Sequence, residues 1–124
     1  MAFPAKASIE AYLTDTFSLS FHYKDSGGSG VNLSSALIEM DVRDSDKDPT
    51  SQVVWSTATN EIAVTQGGSL AQGQFTVTVP ASGIQRLGTR GTVTSYFYEV
   101  RTTQSAVVDT LVHGQFSVYG EARP

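Results

Sequence analysis

The sequence predicts an all-β protein, an antiparallel β-sandwich of about seven to eight short strands with at most one short helical turn. Three observations support this prediction. Apolar and polar residues alternate along Phe17–Tyr23, which is the period of a strand with one buried face. The C-terminal region Thr94–Tyr119 is rich in aromatic and β-branched residues, which suit a pleated sheet. Turn-forming residues recur at intervals of roughly 8–12 residues, the spacing typical of a sandwich.

The C-terminal region is predicted to form a closing hairpin. Its strands cover Thr94–Thr102 and Val107–Tyr119, and a polar turn at 103–105 joins them. Alternation places Tyr96, Tyr98 and Val100 on one face and Phe97, Glu99 and Arg101 on the other. Leu111 and Phe116 are out of phase in the second strand, so we expect a bulge or bend at His113–Gly114.

Five further strands are predicted, covering Phe17–Tyr23, Leu33–Asp44, Gln52–Ser56, Glu61–Thr65 and Gln74–Val79. Alternation in the second of these directs Ile38, Met40 and Val42 inward and Glu39, Asp41 and Arg43 outward. A single helical turn is expected within Ala81–Leu87.

The chain of 124 residues is expected to hold one domain. Residues 15–124 form the predicted sandwich. Residues 1–14 are predicted to be an N-terminal arm or an edge strand, because Pro4 and the mixed periodicity disfavour a central strand.

Composition excludes several classes of function. With a net charge of −4, the chain lacks the excess of positive charge that nucleic-acid-binding proteins carry. The absence of cysteine excludes disulfides, thiol catalysis and Cys-ligated zinc. No stretch approaches 18 apolar residues, and the N-terminus lacks the apolar core of a signal peptide, so synthesis in the cytoplasm without a membrane span is expected. Charged residues make up only 16% of the chain, and a surface rich in Ser, Thr and Gln is often covered by a partner.

Asp44, Asp46 and Asp48 have the spacing that begins an EF-hand calcium loop. Pro49 stands where that loop needs glycine, and Trp55 where it needs glutamate, so the EF-hand fails. A calcium site of another kind in this loop stays open as an alternative to the favoured interpretation, a solvated acidic turn.

The two histidines, His22 and His113, have no neighbouring set of ligands or activated nucleophile in the sequence. We therefore predict no catalytic residues, no cofactor and no enzymatic activity.

Several side chains are candidates for contacts with a partner. Arg86, Arg90 and Arg101 could form a small basic patch that contacts an acidic neighbouring subunit. Aromatic side chains near strand ends or on outward faces are further candidates, namely Phe3, Tyr12, Trp55, Phe97 and Tyr119. An exposed aromatic row would stack sugars or be buried by a partner, and we favour partner burial or core packing.

The chain resembles the small immunoglobulin-like β-sandwich proteins encoded among the tail, baseplate, neck and other virion genes of tailed bacteriophages and prophages. The resemblance begins with Asp15–Leu19, Asp25–Leu33 and Ala36–Arg43. Its strongest part is the ending Tyr98-x-Val100, then Leu111-x-x-Gly-x-Phe-x-Val118, then Arg123. The segment Phe3–Tyr12 has no equivalent in that pattern and could lie across a neighbouring subunit.

The resemblance implies a non-enzymatic structural role in a virion, through assembly with other virion proteins in several symmetric copies. It supplies no catalytic residues. A capsid decoration protein and a module that binds a carbohydrate or receptor through Trp55 or tyrosine side chains are the alternatives.

Overall fold

The computed structural model describes residues 5–24, 27–28, 30–33, 36–44, 51–64 and 73–120. Within them the chain forms nine strands and one helical turn. In chain order these are β1 (Ala5–Lys6), β2 (Ile9–Tyr12), β3 (Phe17–His22), β4 (Leu37–Arg43), β5 (Ser51–Ser56), β6 (Ile62–Val64), β7 (Gln74–Val79), α1 (Ala81–Ile84), β8 (Val93–Gln104) and β9 (Val107–Tyr119). The predicted all-β sandwich is confirmed.

The strands form two sheets. The six-stranded sheet has the order β9-β8-β4-β5, and both β1 and β2 pair in parallel with the other side of β9. The three-stranded sheet has the order β3-β7-β6. This is an immunoglobulin-like arrangement, in which β3-β7-β6 corresponds to strands B-E-D and β9-β8-β4 to strands G-F-C.

The core lies between the two sheets, and aromatic side chains join them. Phe17 of the three-stranded sheet packs against Trp55 and Phe116 of the six-stranded sheet, with ring centroids 6.4 and 5.5 Å away. The apolar faces of β3, β4 and β7 line this core. The side chains with no exposed area include Ile38, Met40, Val42, Phe75, Val77, Tyr98 and Val100.

The hairpin differs from its prediction at the turn and at the bulge. The chain reverses at Ser105 and Ala106, which both have positive φ, 49° and 65°, the backbone of a two-residue type I′ turn. The bulge lies at Leu111, because Val100 pairs with Val112 while the next residue of β8 pairs with Thr110. The predicted bulge at His113–Gly114 is therefore wrong by two residues.

Gly114 is explained instead by a close approach of the N-terminal segment. That segment crosses β9 between β1 and β2, where the Ala7 amide donates to the His113 carbonyl at 2.9 Å. A Cβ atom at Gly114 would lie 2.1 Å from the Ala7 carbonyl oxygen. The hydroxyl of Tyr98 donates to that same oxygen at 2.8 Å, and burial raises the pKa of Tyr98 to about 12. Residues 5–12 thus lie along this chain's own sheet as an edge strand, and Phe3 is outside the described residues.

The connection between the sheets at α1 is held by a second tyrosine. Tyr96 donates its hydroxyl proton to the Leu87 carbonyl at 2.6 Å, as in the tyrosine corner of immunoglobulin-like domains. Ile84 and Leu87 are buried beneath this connection.

Candidate functional site

The outer face of the six-stranded sheet holds four of the residues that the sequence predicted to be functional, Tyr12, Phe97, Arg101 and Tyr119. Alternation forces this placement, because the inward residues of β4, β8 and β9 fix their neighbours on the opposite side. We call this surface the outer face. Its side chains include Tyr12 on β2, Glu39, Asp41 and Arg43 on β4, Val54 on β5, Phe97, Glu99 and Arg101 on β8, and His113, Gln115 and Tyr119 on β9.

A charged cluster occupies the middle of the outer face. Asp41 accepts from both arginines through one oxygen, Oδ2, which is 2.6 Å from Arg43 Nη2 and 3.3 Å from Arg101 Nη1. Arg101 Nη1 also lies 3.1 Å from Glu99 Oε1, and its Nη2 lies 3.9 Å from Glu39 Oε1. The cluster therefore links β4 to β8 by ion pairs, with three carboxylates against two guanidinium groups.

Asp41 is only 1% exposed, although it has the outward position that alternation predicted. It does face outward, but the two arginine side chains lie close to it. Burial by itself would raise the pKa of this carboxyl. Hydrogen bonds from Arg43 and Ser51, with the positive charges of Arg43 and Arg101, outweigh burial and hold the pKa of Asp41 below its usual value.

The other four members of the cluster are about a quarter exposed. Their side-chain exposures lie between 23% and 29%. Exposed ion pairs contribute little to stability individually, but a network anchored on a buried carboxylate holds its arginines in place. The centre of the outer face thus presents charges of both signs in fixed positions.

Phe97 and His113 extend this centre toward β9. Their ring centroids are 6.0 Å apart, and both side chains are half-buried. Phe97 is placed on the outward side, where the sequence put it. In the sheet, His113 stands between Lys6 of β1 and Glu99 of β8.

An aromatic pair lies where β2 and β9 end. The rings of Tyr12 and Tyr119 stack with centroids 5.5 Å apart. On the other side of Tyr119, its cross-strand partner on β8 is Val93, which is 52% exposed. The Tyr119 hydroxyl lies 3.4 Å from Glu10 Oε1. The negative charge of Glu10 raises the pKa of the Tyr119 phenol. This pair provides an apolar surface beside a carboxylate.

Trp55 does not belong to the outer face. It is 4% exposed and packs between Phe17 and Phe116. Val53, Val54 and Trp55 form an apolar run without a clear period, so alternation does not assign Trp55 to either face of β5. The structure therefore corrects this candidate and removes Trp55 as a platform for sugar or partner binding.

The predicted basic patch does not form as a unit. Arg86 and Arg90 are exposed in the connection that precedes β8. Arg101 lies eight residues beyond the start of that strand, about 26 Å along it, and is engaged by Asp41 and Glu99.

The acidic loop gives no support for a metal site in the described residues. Asp44 is exposed and accepts a hydrogen bond from Gln52 Nε2 at 3.0 Å, while Asp46 and Asp48 lie outside the described residues. The part of the chain that the structure describes has no group of three His, Asp or Glu side chains placed to hold a metal ion. His22 lies exposed on β3, on the opposite side of the sandwich from His113.

The charged cluster is the functional candidate that sequence reasoning missed. A signal for it was available, because Asp41 and Arg43, and likewise Glu99 and Arg101, are opposite charges two residues apart on one face of a strand. The two charge pairs come together because β4 lies beside β8 in the sheet. The sequence of either strand alone does not predict that neighbourhood.

Comparison with protein families and with characterised proteins gives no match to this chain. Among the described residues, no helix is long and apolar enough to cross a membrane.

Proposed function

We propose that the protein is a non-enzymatic structural component of a tailed-phage particle, a tail, baseplate or neck accessory that acts by protein–protein assembly in multiple copies. The virion assignment rests on the resemblance carried by the Tyr98-x-Val100 and Leu111–Val118 segments. The fold fits such a role, since an immunoglobulin-like sandwich presents two broad sheet faces to neighbours.

The observation that carries the assembly role is the organisation of the outer face. Phe97 lies beside a charged cluster whose central carboxylate is already desolvated, and the Tyr12–Tyr119 pair lies farther along the same face, where β2 and β9 end. A partner that covers this face causes little further loss of side-chain entropy in the charged cluster, because the ion pairs already hold those side chains in place. Aromatic and arginine side chains are also those that contribute most to protein interfaces.

The test has two parts. Purified particles are analysed by mass spectrometry and immunogold labelling, and the protein is expected on the tail, baseplate or neck. Labelling of the capsid would favour the alternative of a capsid decoration protein, and absence from purified particles would refute the virion role.

The second part asks whether the outer face makes the contact. Phe97→Asp places a charge in the half-buried aromatic position and is expected to reduce incorporation at least tenfold. Thr78→Asp makes a similar charge change on the exposed side of β7 and serves as the control. Equal incorporation of both variants would remove the outer face from the proposal.

The Tyr12–Tyr119 pair favours a second candidate function, a carbohydrate-binding module. Stacked tyrosines beside the Glu10 carboxylate offer an apolar surface and an acceptor for sugar hydroxyls. A glycan array with the wild type and Tyr119→Ala decides this: binding that the substitution abolishes supports the module, and no binding by the wild type removes it.

A further inference from the structure

The strand β3 is an edge of the three-stranded sheet that lies over an open side of the core. Within the described residues its only strand neighbour is β7. A cleft of about 500 Å³ separates β3 from β2, the edge strand of the opposite sheet, and its walls include Ile9, Ala11, Phe17 and Leu19. Leu19 is therefore half-buried, whereas its cross-strand partner on β7 is fully buried.

Phe17–Phe21 lacks the features that usually protect an edge strand from pairing. It contains no charge and no proline, and its register with β7 runs without a bulge. The edge of the opposite sheet at β1 and β2 differs, because it carries Lys6 and Glu10. An uncharged edge of this length is a template for another strand.

The backbone groups of Ser18 and Ser20 point toward this open edge. The Thr78 amide bonds to Glu61, on the β6 side, so alternate residues of β7 direct their groups toward β3. Those residues pair with Phe17, Leu19 and Phe21. The two serines between them therefore direct both N–H and C=O away from β7.

The residues Phe-Ser-Leu-Ser-Phe from Phe17 to Phe21 read the same in both directions. We infer that β3 pairs with β3 of a second copy of this chain, antiparallel about a two-fold axis at Leu19. In that register Phe17 faces Phe21 of the other copy, Ser18 faces Ser20, and the serine pairs exchange four backbone hydrogen bonds. A second copy fits this edge because the register pairs phenylalanine with phenylalanine, serine with serine and leucine with leucine. It also brings no two charges of the same sign together.

The pairing would join the two three-stranded sheets into one continuous sheet of six strands. Leu19 and Phe21 of each copy would then lie over the cleft of the other, which explains why a half-buried apolar row remains along this edge. The inference rests on the multiple copies of the proposed function and names a surface and a symmetry for the contact between copies, separate from the outer face. It is tested in solution, so its failure leaves the particle test unaffected.

Light scattering coupled to size exclusion measures the mass of the full chain across a concentration series. The expected result is a shift from 13.2 kDa toward twice that mass as concentration rises. Ser18→Lys with Ser20→Lys sets lysines opposite lysines across the axis and is expected to weaken dimerisation at least tenfold. Ala63→Lys with Thr78→Lys adds the same charge to exposed positions on β6 and β7 and should leave the dimer intact.

A charge-complementation experiment tests the register. The double-lysine variant is mixed with Ser18→Asp/Ser20→Asp, which alone is also expected to be monomeric. The mixture should form a one-to-one heterodimer, because each introduced lysine then faces an introduced aspartate. In the wild type, the Ser18 and Ser20 amides should also become protected from hydrogen exchange as the dimer forms.

A wild type that stays monomeric to several hundred micromolar would overturn the inference, whether β3 then stays unpaired or takes a strand from another protein. A dimer that survives the double-lysine change would overturn it as well, because such a dimer uses another surface.

Discussion

Gly114 shows how one residue fixes the course of the N-terminal segment. It lies in the middle of β9, where a side chain would normally pack inward, but the Ala7 backbone occupies that space. Glycine in a strand often marks such a close approach of another backbone. The N-terminal edge strand therefore depends on a residue more than one hundred positions away.

We predict that Gly114→Ala destabilises the protein by about 2–3 kcal/mol, because the new methyl group must displace backbone atoms of the N-terminal segment. Urea unfolding measures the change in free energy. Gly91→Ala is the control, since a Cβ there meets nothing within 4 Å and only its φ of +85° opposes alanine, at a cost of about 1 kcal/mol. Equal losses in the two variants would contradict a steric role for Gly114.

The ionisation of Asp41 contributes to the stability of the sheet. Its pKa in the folded protein lies below the ordinary value of 3.8, because Arg43, Ser51 and Arg101 together outweigh the effect of burial. A depressed pKa means that the ionised carboxylate stabilises the fold above the unfolded pKa. That contribution is lost as the pH falls through the folded value.

We predict that Asp41→Asn lowers the free energy of unfolding at neutral pH by about 1–3 kcal/mol, since two arginines lose a shared charged acceptor. The gap between wild type and variant should stay constant above about pH 5 and shrink as the pH falls below about 4. Urea unfolding at several pH values measures it. A gap independent of pH down to pH 2 would show that the carboxylate charge contributes nothing.

At the scale of elements, the β8–β9 hairpin shows what alternation can and cannot determine. Alternation identified both strands and the inward face of β8. The predicted turn and the predicted bulge, however, each lie up to two residues away from the observed ones. Those features depend on backbone conformations at Ser105, Ala106 and Leu111 that carry no glycine or proline to mark them. The glycine that did suggest a bulge has another cause.

The turn itself gives a prediction of a stabilising change. Ala106 has φ 65°, which costs an alanine more than a glycine, so Ala106→Gly should stabilise the protein by about 0.5–1 kcal/mol. Ala63→Gly is a matched control, because Ala63 is an exposed residue of a regular strand and the same change there should destabilise. Thermal and urea unfolding give both signs, and a loss of stability in Ala106→Gly would contradict the type I′ turn.

At the scale of the whole molecule, the fold was predictable and the candidate site only in part. The strand positions and the inward faces of β3, β4 and β7 follow from local alternation, and so does the outward placement of Phe97. The burial of Asp41 does not, because it depends on Arg101 arriving from another strand. Parallel pairing of β2 with β9 likewise joins distant segments, and local sequence carries no signal for it.

Trp55 tests the sandwich as a unit, because it contacts aromatic residues from both sheets, Phe17 on β3 and Phe116 on β9. We predict that Trp55→Ala destabilises the protein by about 3–5 kcal/mol, the usual cost of removing a large buried aromatic side chain. Val54→Ala is the control at the next position, since Val54 points outward and is 38% exposed, and its loss should stay below about 1 kcal/mol.

Trp55 also reports on the cooperativity of unfolding, because it is the single tryptophan of the chain. Its fluorescence in the folded protein should be blue-shifted and resist quenching by acrylamide, and it should shift to the red during urea unfolding. Since Trp55 bridges the sheets, that transition should coincide with the loss of β-sheet circular dichroism. A red-shifted emission before unfolding, or similar stabilities for Trp55→Ala and Val54→Ala, would place Trp55 at the surface and contradict the packing that joins the two sheets.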